Sequence, residues 1–476
     1  MFQPRGCARR GWTKPLAAIL ATASAALLAF TTPVSAQTLT EAFAYTYNTN
    51  PQLLAQRASL RATDEGVPQA LANWRPVVTF SGSAGYNRSG FETPNSVTGA
   101  STPTVFSSFV SKSLDLNVTQ PVYRGGRTEA QTRQAINVVQ AARAQTLAVE
   151  TTVFQAVAQA YLDTVRDQTL VEVNRNNEAV LQKQLEATQE RFRVGEVTRT
   201  DVAQAESSLA QATATRISSE GQLEISRAEY VRAVGHPPAR LIFPRERPAL
   251  PATREEALNL AASDNPAVIS ANFTELAARD NIDVIRGQLL PQISIVGDLT
   301  RSFAPSVTLK NSREDSASVI ARLTMPLYEG GAIYSQTRQA EQTVGQRRSQ
   351  VDDARRAAVQ QATQSWETLI AARAAIASFA SAVRAAQIAL EGIQQEALVG
   401  SRTVLDVLIS QQQLFTTQSQ LVTAQHDAAL QEFNLAAAIG RLIAPELKLP
   451  VQLYDMDKHY KAVKDKLFGF GGGLKE

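Results

Sequence analysis

The sequence predicts an α+β membrane protein built from a duplicated unit, a β-hairpin joined to very long helices. Three observations predict it. The stretch "TQPVYRGGRTEAQTRQA" (119–135) returns 205 residues later as "TMPLYEGGAIYSQTRQA" (324–340), and a match at one fixed spacing marks an internal repeat. Arg127 to Val194 contains no Gly or Pro over 68 residues, which at 1.5 Å per residue is roughly 100 Å of helix. Four runs of about ten residues alternate apolar and polar side chains, the pattern of strands with one apolar face.

The N-terminus has the layout of a secretory signal over residues 1–36. Arg5, Arg9, Arg10 and Lys14 form a basic start, Leu16 to Phe30 an apolar run, and Val34-Ser35-Ala36 a small-residue cleavage site before Gln37. Those basic residues, with no acidic ones among them, account for the formal net charge of +3. Without them acidic and basic residues nearly balance, so the charge gives no argument for a nucleic-acid partner. The single cysteine, Cys7, lies in the same segment, so no disulfide is expected in the exported chain. Past residue 36 no run of about 18 consecutive apolar residues occurs, and no transmembrane helix is expected.

The repeat extends well beyond its first sentence. Pro121, Tyr123, Gly125 and Gly126 correspond to Pro326, Tyr328, Gly330 and Gly331. "VGEVTRTDV" (194–202) corresponds to "VGSRTVLDV" (399–407), pairing Gly195 with Gly400 and Asp201 with Asp406. Upstream the offset is 215, with Asn50-Pro51 matching Asn265-Pro266 and Pro76 matching Pro291. The first copy therefore carries ten extra residues between Pro76 and Pro121. Its Ser-, Gly- and Pro-rich segment 87–104 reads as a surface loop. The expected layout is a first repeat over 37–235, a linker over 236–253, a second repeat over 254–445 and a tail over 446–476.

Each repeat orders its elements alike: helix to about Leu71 or Leu289, two strands, a very long helix, a Gly turn, and a second long helix. The long helix of the second copy is expected over Ala332 to Glu391, interrupted only by Gly345. Ala, Gln and Arg with apolar residues at mixed three- and four-residue spacings suit coiled-coil-like packing. In the strands, Val110, Leu114, Leu116 and Val118 face opposite Ser111, Ser113, Asp115 and Asn117, with Lys112 an exception on the apolar side. Val78, Phe80, Ala84 and Tyr86 oppose Thr79, Ser81 and Ser83, and the second copy alternates similarly. About 9–11 tilted residues span a bilayer, and a barrel must close because lipid tolerates no unpaired edge. Two strands per repeat give four per chain, whereas barrels need about eight or more, so several chains must combine. The repeated phrase is then the joint between strand and helix. Pro121 and Pro326 end the ladder, Tyr123 and Tyr328 suit an interfacial aromatic belt, and Gly125-Gly126 and Gly330-Gly331 permit a sharp turn.

These motifs, in duplicate and in order, resemble the TolC family of outer-membrane channels over essentially the whole chain after residue 36. The matching pieces are "NPQL" and "NPAV", "QPVYRGGR" and "MPLYEGG", "RFRVGEVTRTDVAQAE" and "VGSRTVLDV". The tail "YDMDKHYKAVKDKLFGFGGG" (454–473) looks like that of members assigned to type I secretion. The resemblance implies a homotrimer with a 12-stranded β-barrel continued by a periplasmic α-helical coiled-coil barrel. It also implies an outer-membrane location, a periplasmic adaptor, an inner-membrane ABC or RND transporter, and a passive duct with no enzyme activity and no cofactor.

The family's periplasmic tips fall on Val194, Gly195, Val399 and Gly400. Its entrance latch falls on Arg402 with Thr200 and Asp201, and a lumen-facing acidic position on Asp406. An Arg–carboxylate pair is geometrically strict and suits a latch, while Thr200 or Asp201 also suits an N-cap. Two family positions differ: a network Tyr is replaced by Ala397, and a second acidic position by Ile409. His236, His426 and His459 lack metal-ligand spacing and read as surface or loop residues, and no Ser-His-Asp signature or P-loop occurs. A pore-free periplasmic coiled-coil protein is the alternative, and it leaves the amphipathic strands unexplained.

Overall fold

The computed structural model describes residues 37–91, 97, 99, 105–306 and 312–469. Residues 1–36 and the predicted insertion around Pro94 lie outside the described residues.

Two short helices, α1 (Leu39–Thr49) and α2 (Pro51–Asp64), and the turn-like α3 (Gly66–Leu71) lead into strands β1 (Val77–Phe91) and β2 (Val105–Arg124). Two long helices follow, α4 (Arg127–Arg193, 67 residues) and α5 (Arg199–Val234, 36 residues). The second copy repeats this order: α6 (Arg254–Ser263), α7 (Pro266–Arg286), β3 (Gln292–Phe303), β4 (Arg313–Thr324), α8 (Ala332–Leu398, 67 residues) and α9 (Val404–Ala438, 35 residues). A tail helix, α10 (Met456–Val463), is the last element among the described residues.

The repeated Asn-Pro pair shows how sequence sets a local start. Proline suits the first helical position because that N–H has no intrahelical partner, and asparagine before it caps the free donors. Asn50 Oδ1 accepts from Gln52 N at 2.9 Å, and Asn265 Oδ1 from Ala267 N at 2.9 Å. Each amide also reaches the last turn of its repeat's second long helix, Asn50 to Ala233 O and Asn265 to Ala438 O. The duplicate phrases thus make duplicate contacts.

The four strands form one antiparallel sheet in the order β1-β2-β3-β4. β2 and β3, from different repeats, pair along Lys112↔Phe303 through Arg124↔Gln292. The polar face is cross-linked by side chains: Ser83 Oγ lies 2.9 Å from Ser113 Oγ, and Asn117 Nδ2 donates to Asp298 at 2.5 Å. The apolar face is exposed, including Phe80, Leu114, Leu299 and Val319. The outer edges, β1 and β4, have no pairing partner among the described residues.

The largest core lies in a belt around the long helices. Phe43 and Tyr47 of α1, Phe154, Val157 and Tyr161 of α4, Tyr230 of α5 and Phe433 of α9 pack there. The linker joins this belt through a bridge between Gln37 and Leu241. Tyr161 Oη lies 2.8 Å from Gln37 O and 2.7 Å from Ile242 O, and burial pushes its pKa up to about 12.

Several expectations need correction. Pro121 does not end its ladder: β2 continues to Arg124, and the register shifts between Pro121 and Tyr123. A bulge absorbs the missing N–H there. Residues 87–91 belong to β1 rather than to a loop. Helix α8 does not stop at Glu391 but runs through Gly345 and Gly392 to Leu398, because one glycine costs a helix only about 1 kcal/mol. His426 is neither surface nor loop. It is buried on α9, with Nε2 2.9 Å from Asp163 and Nδ1 2.9 Å from Asp427. Finally, α8 holds an 18-residue window of mean hydropathy 1.4, long and apolar enough for a membrane span by composition. That window is part of a 67-residue helix packed against α7 and α9, and only 11% of it is buried within one chain.

Candidate gate and strand–helix joints

At the far ends of the long helices the chain turns twice, in matching ways. α4 closes with Gly195 N donating to Phe192 O and Glu196 N to Arg191 O at 2.9 Å. Gly195 has φ +84, which a side chain would strain. α8 closes alike, with Ser401 N donating to Glu396 O at 3.0 Å and Gly400 at φ +79. Val194 and Val399 are exposed at these two tips.

The next helices start with identical capping boxes. Thr198 Oγ1 accepts from Asp201 N, while the Asp201 carboxylate accepts from Thr198 N at 2.8 Å and Thr198 Oγ1 at 2.7 Å. Thr403 and Asp406 repeat this at 2.9 and 2.8 Å. The N-cap is thus Thr198, not Thr200 or Asp201; Asp201 is the third helical residue, and Thr200 is exposed in the first turn. Hydrogen bonds from the Thr198 side chain and backbone hold the Asp201 carboxyl below the usual aspartate range. The Thr403 backbone and hydroxyl do the same for Asp406.

Arg402 Nε donates to Glu396 Oε2 at 2.8 Å, across its own turn. The first tip has a counterpart, Arg191 to Glu196 at 3.1 Å. The two tips are neighbours: Leu181, Leu185 and Ala205 share one apolar cluster with Val404 and Leu408. Within one chain, then, Arg402, Thr200, Asp201 and Asp406 gather at one end of the long helices, but each charged group is held by its own turn. Ala397 is buried between α8 and α9 with Leu390, Val407 and Leu414, and Ile409 is exposed.

The joints at the opposite ends follow the same duplicate logic. Gly126 and Gly331 precede α4 and α8 with φ +73 and +79. Gly125 has a further reason to be glycine: a Cβ there would stand 2.3 Å from Gly287 O and 2.8 Å from Leu290 Cβ. A Cβ at Gly330 would meet nothing within 4 Å. Tyr123 and Tyr328 are both exposed.

Sequence reading missed Gly287, whose own Cβ would lie 2.6 Å from Gly125 O. It also missed the caps Thr198 and Thr403, although Thr-x-x-Asp is a legible signature. Ion pairs to a buried carboxylate were missed too. Glu432 on α9 is fully buried and joins Arg247 of the linker at 2.8 Å and Arg373 of α8 at 2.7 Å. Among the described residues no group of three or more His, Cys, Asp or Glu side chains is placed to hold a metal ion.

The profile of the family described as "Outer membrane efflux protein" matches residues 46–236 and 257–441, once on each repeat. The outer membrane efflux protein BepC of Brucella suis is 34% identical over 434 residues, covering 91% of this chain and 92% of BepC. The outer membrane protein TolC of Vibrio cholerae is 27% identical over 432 residues, covering 88% and 94%. Among solved structures, the CmeC outer membrane channel of Campylobacter jejuni superposes with a TM-score of 0.74 at 15% identity, covering 90% of this chain and 89% of CmeC. Architecture, duplicated joints and these similarities agree: the chain belongs to the outer membrane efflux protein family, the TolC-like channel proteins of the outer membrane.

Proposed function

We propose that three copies of this chain close into one tube, the passive exit duct of a tripartite export system serving type I protein secretion, multidrug efflux or both. The observation that carries this reading is the sheet order, which leaves β1 and β4 open at opposite edges. Lipid tolerates no open edge, so β4 of one copy pairs with β1 of the next, and three copies give twelve strands. Two copies would give eight, a barrel whose interior side chains nearly fill it.

The internal repeat supports the same closure at the helices. Inside one chain, Arg133 of α4 holds Asp280 at 3.1 Å and Asp283 at 2.9 Å on α7. Applying the repeat offsets to the first pair gives Arg338 on α8 and Glu65 beside α2. Arg338 is exposed, and Glu65 is about half exposed, 3.9 Å from His459. Across copies these residues meet as Arg133 meets Asp280, and the thinly buried apolar window of α8 gains its cover.

In this assembly a leader over residues 1–36 is removed on export. The barrel lies in outer-membrane lipid and the helices extend into the periplasm. A periplasmic adaptor contacts the tips at Val194, Gly195, Val399 and Gly400 and links them to an inner-membrane ABC or RND transporter, which chooses the cargo. Arg402 exchanges Glu396 for Thr200 and Asp201 of a neighbouring helix pair when the entrance is closed, with Asp406 facing the constriction. Purified protein in planar bilayers should give discrete conductance steps, and carbonate should leave it in the membrane. Release by carbonate, with no conductance, would favour a pore-free periplasmic coiled coil.

A further inference from the structure

The apolar face of the sheet carries cations where a face turned to lipid should carry none. Lys112 lies among Ala84, Leu114 and Phe303, and Arg301 among Phe80, Leu116 and Leu299, along shallow grooves on that face. Register places Lys112, Phe303 and Arg313 side by side on β2, β3 and β4, with Arg301 two residues nearer the helices. Arg301 and Arg313 share one carboxylate, Asp315, at 2.7 and 3.0 Å, so the cluster keeps a net positive charge.

Height decides what this cluster can touch. Tyr123, the aromatic at the helix end, pairs with Ile293, and Lys112 pairs with Phe303, ten residues further along β3. Ten residues extend about 33 Å along a strand. Tilted by about 35–45°, that rises roughly 25 Å, the height of the apolar band on a membrane barrel. Lys112 and Arg313 therefore stand one hydrocarbon thickness from the tyrosine belt, at the opposite interface. There a lipid-facing cation is nearly free of cost, whereas at the midplane Arg or Lys costs about 2–4 kcal/mol. Arg301, slightly inside, reaches the same level with its long side chain.

We propose that Lys112, Arg301 and Arg313 bind the phosphate groups of an acylated, phosphorylated glycolipid in the outer leaflet. This rests on the barrel reading above, which turns the apolar face to lipid and the hairpin ends outward. Phosphate fits because Arg presents a planar fork and Lys a point charge, both charge-assisted donors to phosphate oxygens. Phe303 between them offers an apolar shelf for the first methylenes of an acyl chain.

The test uses the full-length protein purified in mild detergent, with bisphosphorylated lipid A, dephosphorylated lipid A and phosphatidylglycerol as probes. Retained lipid is read by native mass measurement. The wild type should retain bisphosphorylated lipid A in preference to both other lipids. Lys112→Gln combined with Arg313→Gln should weaken that retention about tenfold, with the same subunit number and single-channel conductance. Equal retention by wild type and variant, or no preference for the phosphorylated lipid, would overturn the proposal. Those two controls keep its failure apart from failure of the barrel reading: loss of the trimer or of conductance in the wild type sinks the barrel itself.

Discussion

In the gate proposed above, Arg402 at the tip serves two states. In the single chain it is bound to Glu396 across its own turn, and both are about half exposed. Water screens an exposed pair, which therefore contributes little, so exchanging Glu396 for a neighbour's Asp201 would cost little in either direction, as the proposed gate requires. Arg402→Glu places like charges opposite Asp201 and beside Glu396, and larger single-channel conductance is expected with subunit association unchanged. Glu396→Gln frees Arg402 for the neighbour and should leave conductance at or below wild type. Equal conductance in all three proteins would remove Arg402 from the gate. The glycines at the joint allow a second comparison. Gly126→Ala meets open space and faces only the positive φ, about 1–2 kcal/mol, whereas Gly125→Ala also drives a Cβ into Gly287 O. Yield and melting temperature should fall clearly more for Gly125→Ala. The capping aspartates add a pH dependence. Their folded pKa values lie below the ordinary aspartate value of 3.8, so their stabilisation is present above that value and lost as pH falls through the folded one. The tips should fray in strong acid before the belt unfolds, visible as early hydrogen exchange at Val202 and Val407.

At the scale of elements, the repeat is a prediction engine as well as a pattern. A contact seen between the two repeats of one chain should recur between neighbouring chains. With Arg338→Cys and Glu65→Cys in this chain, whose one native cysteine, Cys7, is replaced by serine or removed with the proposed leader, oxidation should yield covalent dimers and trimers. Monomer alone would break the quasi-equivalence of the repeats. The repeat was legible because its signals are backbone signals: Gly pairs that need positive φ, Asn-Pro starts, and helices free of Pro. Strand faces were legible from their period of two. What escaped the sequence was what depends on distant segments meeting. Gly287 looks like any glycine until Gly125 is laid against it. His426 looks like a surface residue until Asp163 of α4 is brought beside α9. Pro121 ends a strand by its chemistry alone, and only a bulge in β2 against β3 lets the ladder pass. Helix α8 starts at Ala332 as expected but runs past Glu391 to Leu398, because one glycine weighs little against a helix packed along two neighbours.

At the scale of the whole molecule, the proposed assembly makes the chain a third of a device. Among the described residues its sheet has two open edges, its apolar face no cover, and α8 an apolar window mostly bare within one chain. The proposed head-to-tail closure by three copies would pair the edges, leave the apolar face for lipid and fit a threefold ring around a lumen. The belt of α1, the linker and the C-terminal segment clasps the long helices midway, with Glu432 as a buried tie between Arg247 and Arg373. Glu432→Ala removes the carboxylate that joins the two arginines, but Arg247 and Arg373 are half exposed and stay solvated, so a loss of about 1–3 kcal/mol is expected, read as a lower melting temperature of the assembly in detergent. The central claim is the number of copies that close the tube. Native mass measurement of the detergent-purified protein tests it most directly. A species of three subunits, stable to dilution, is the predicted result, and a monomer or a dimer would contradict the account.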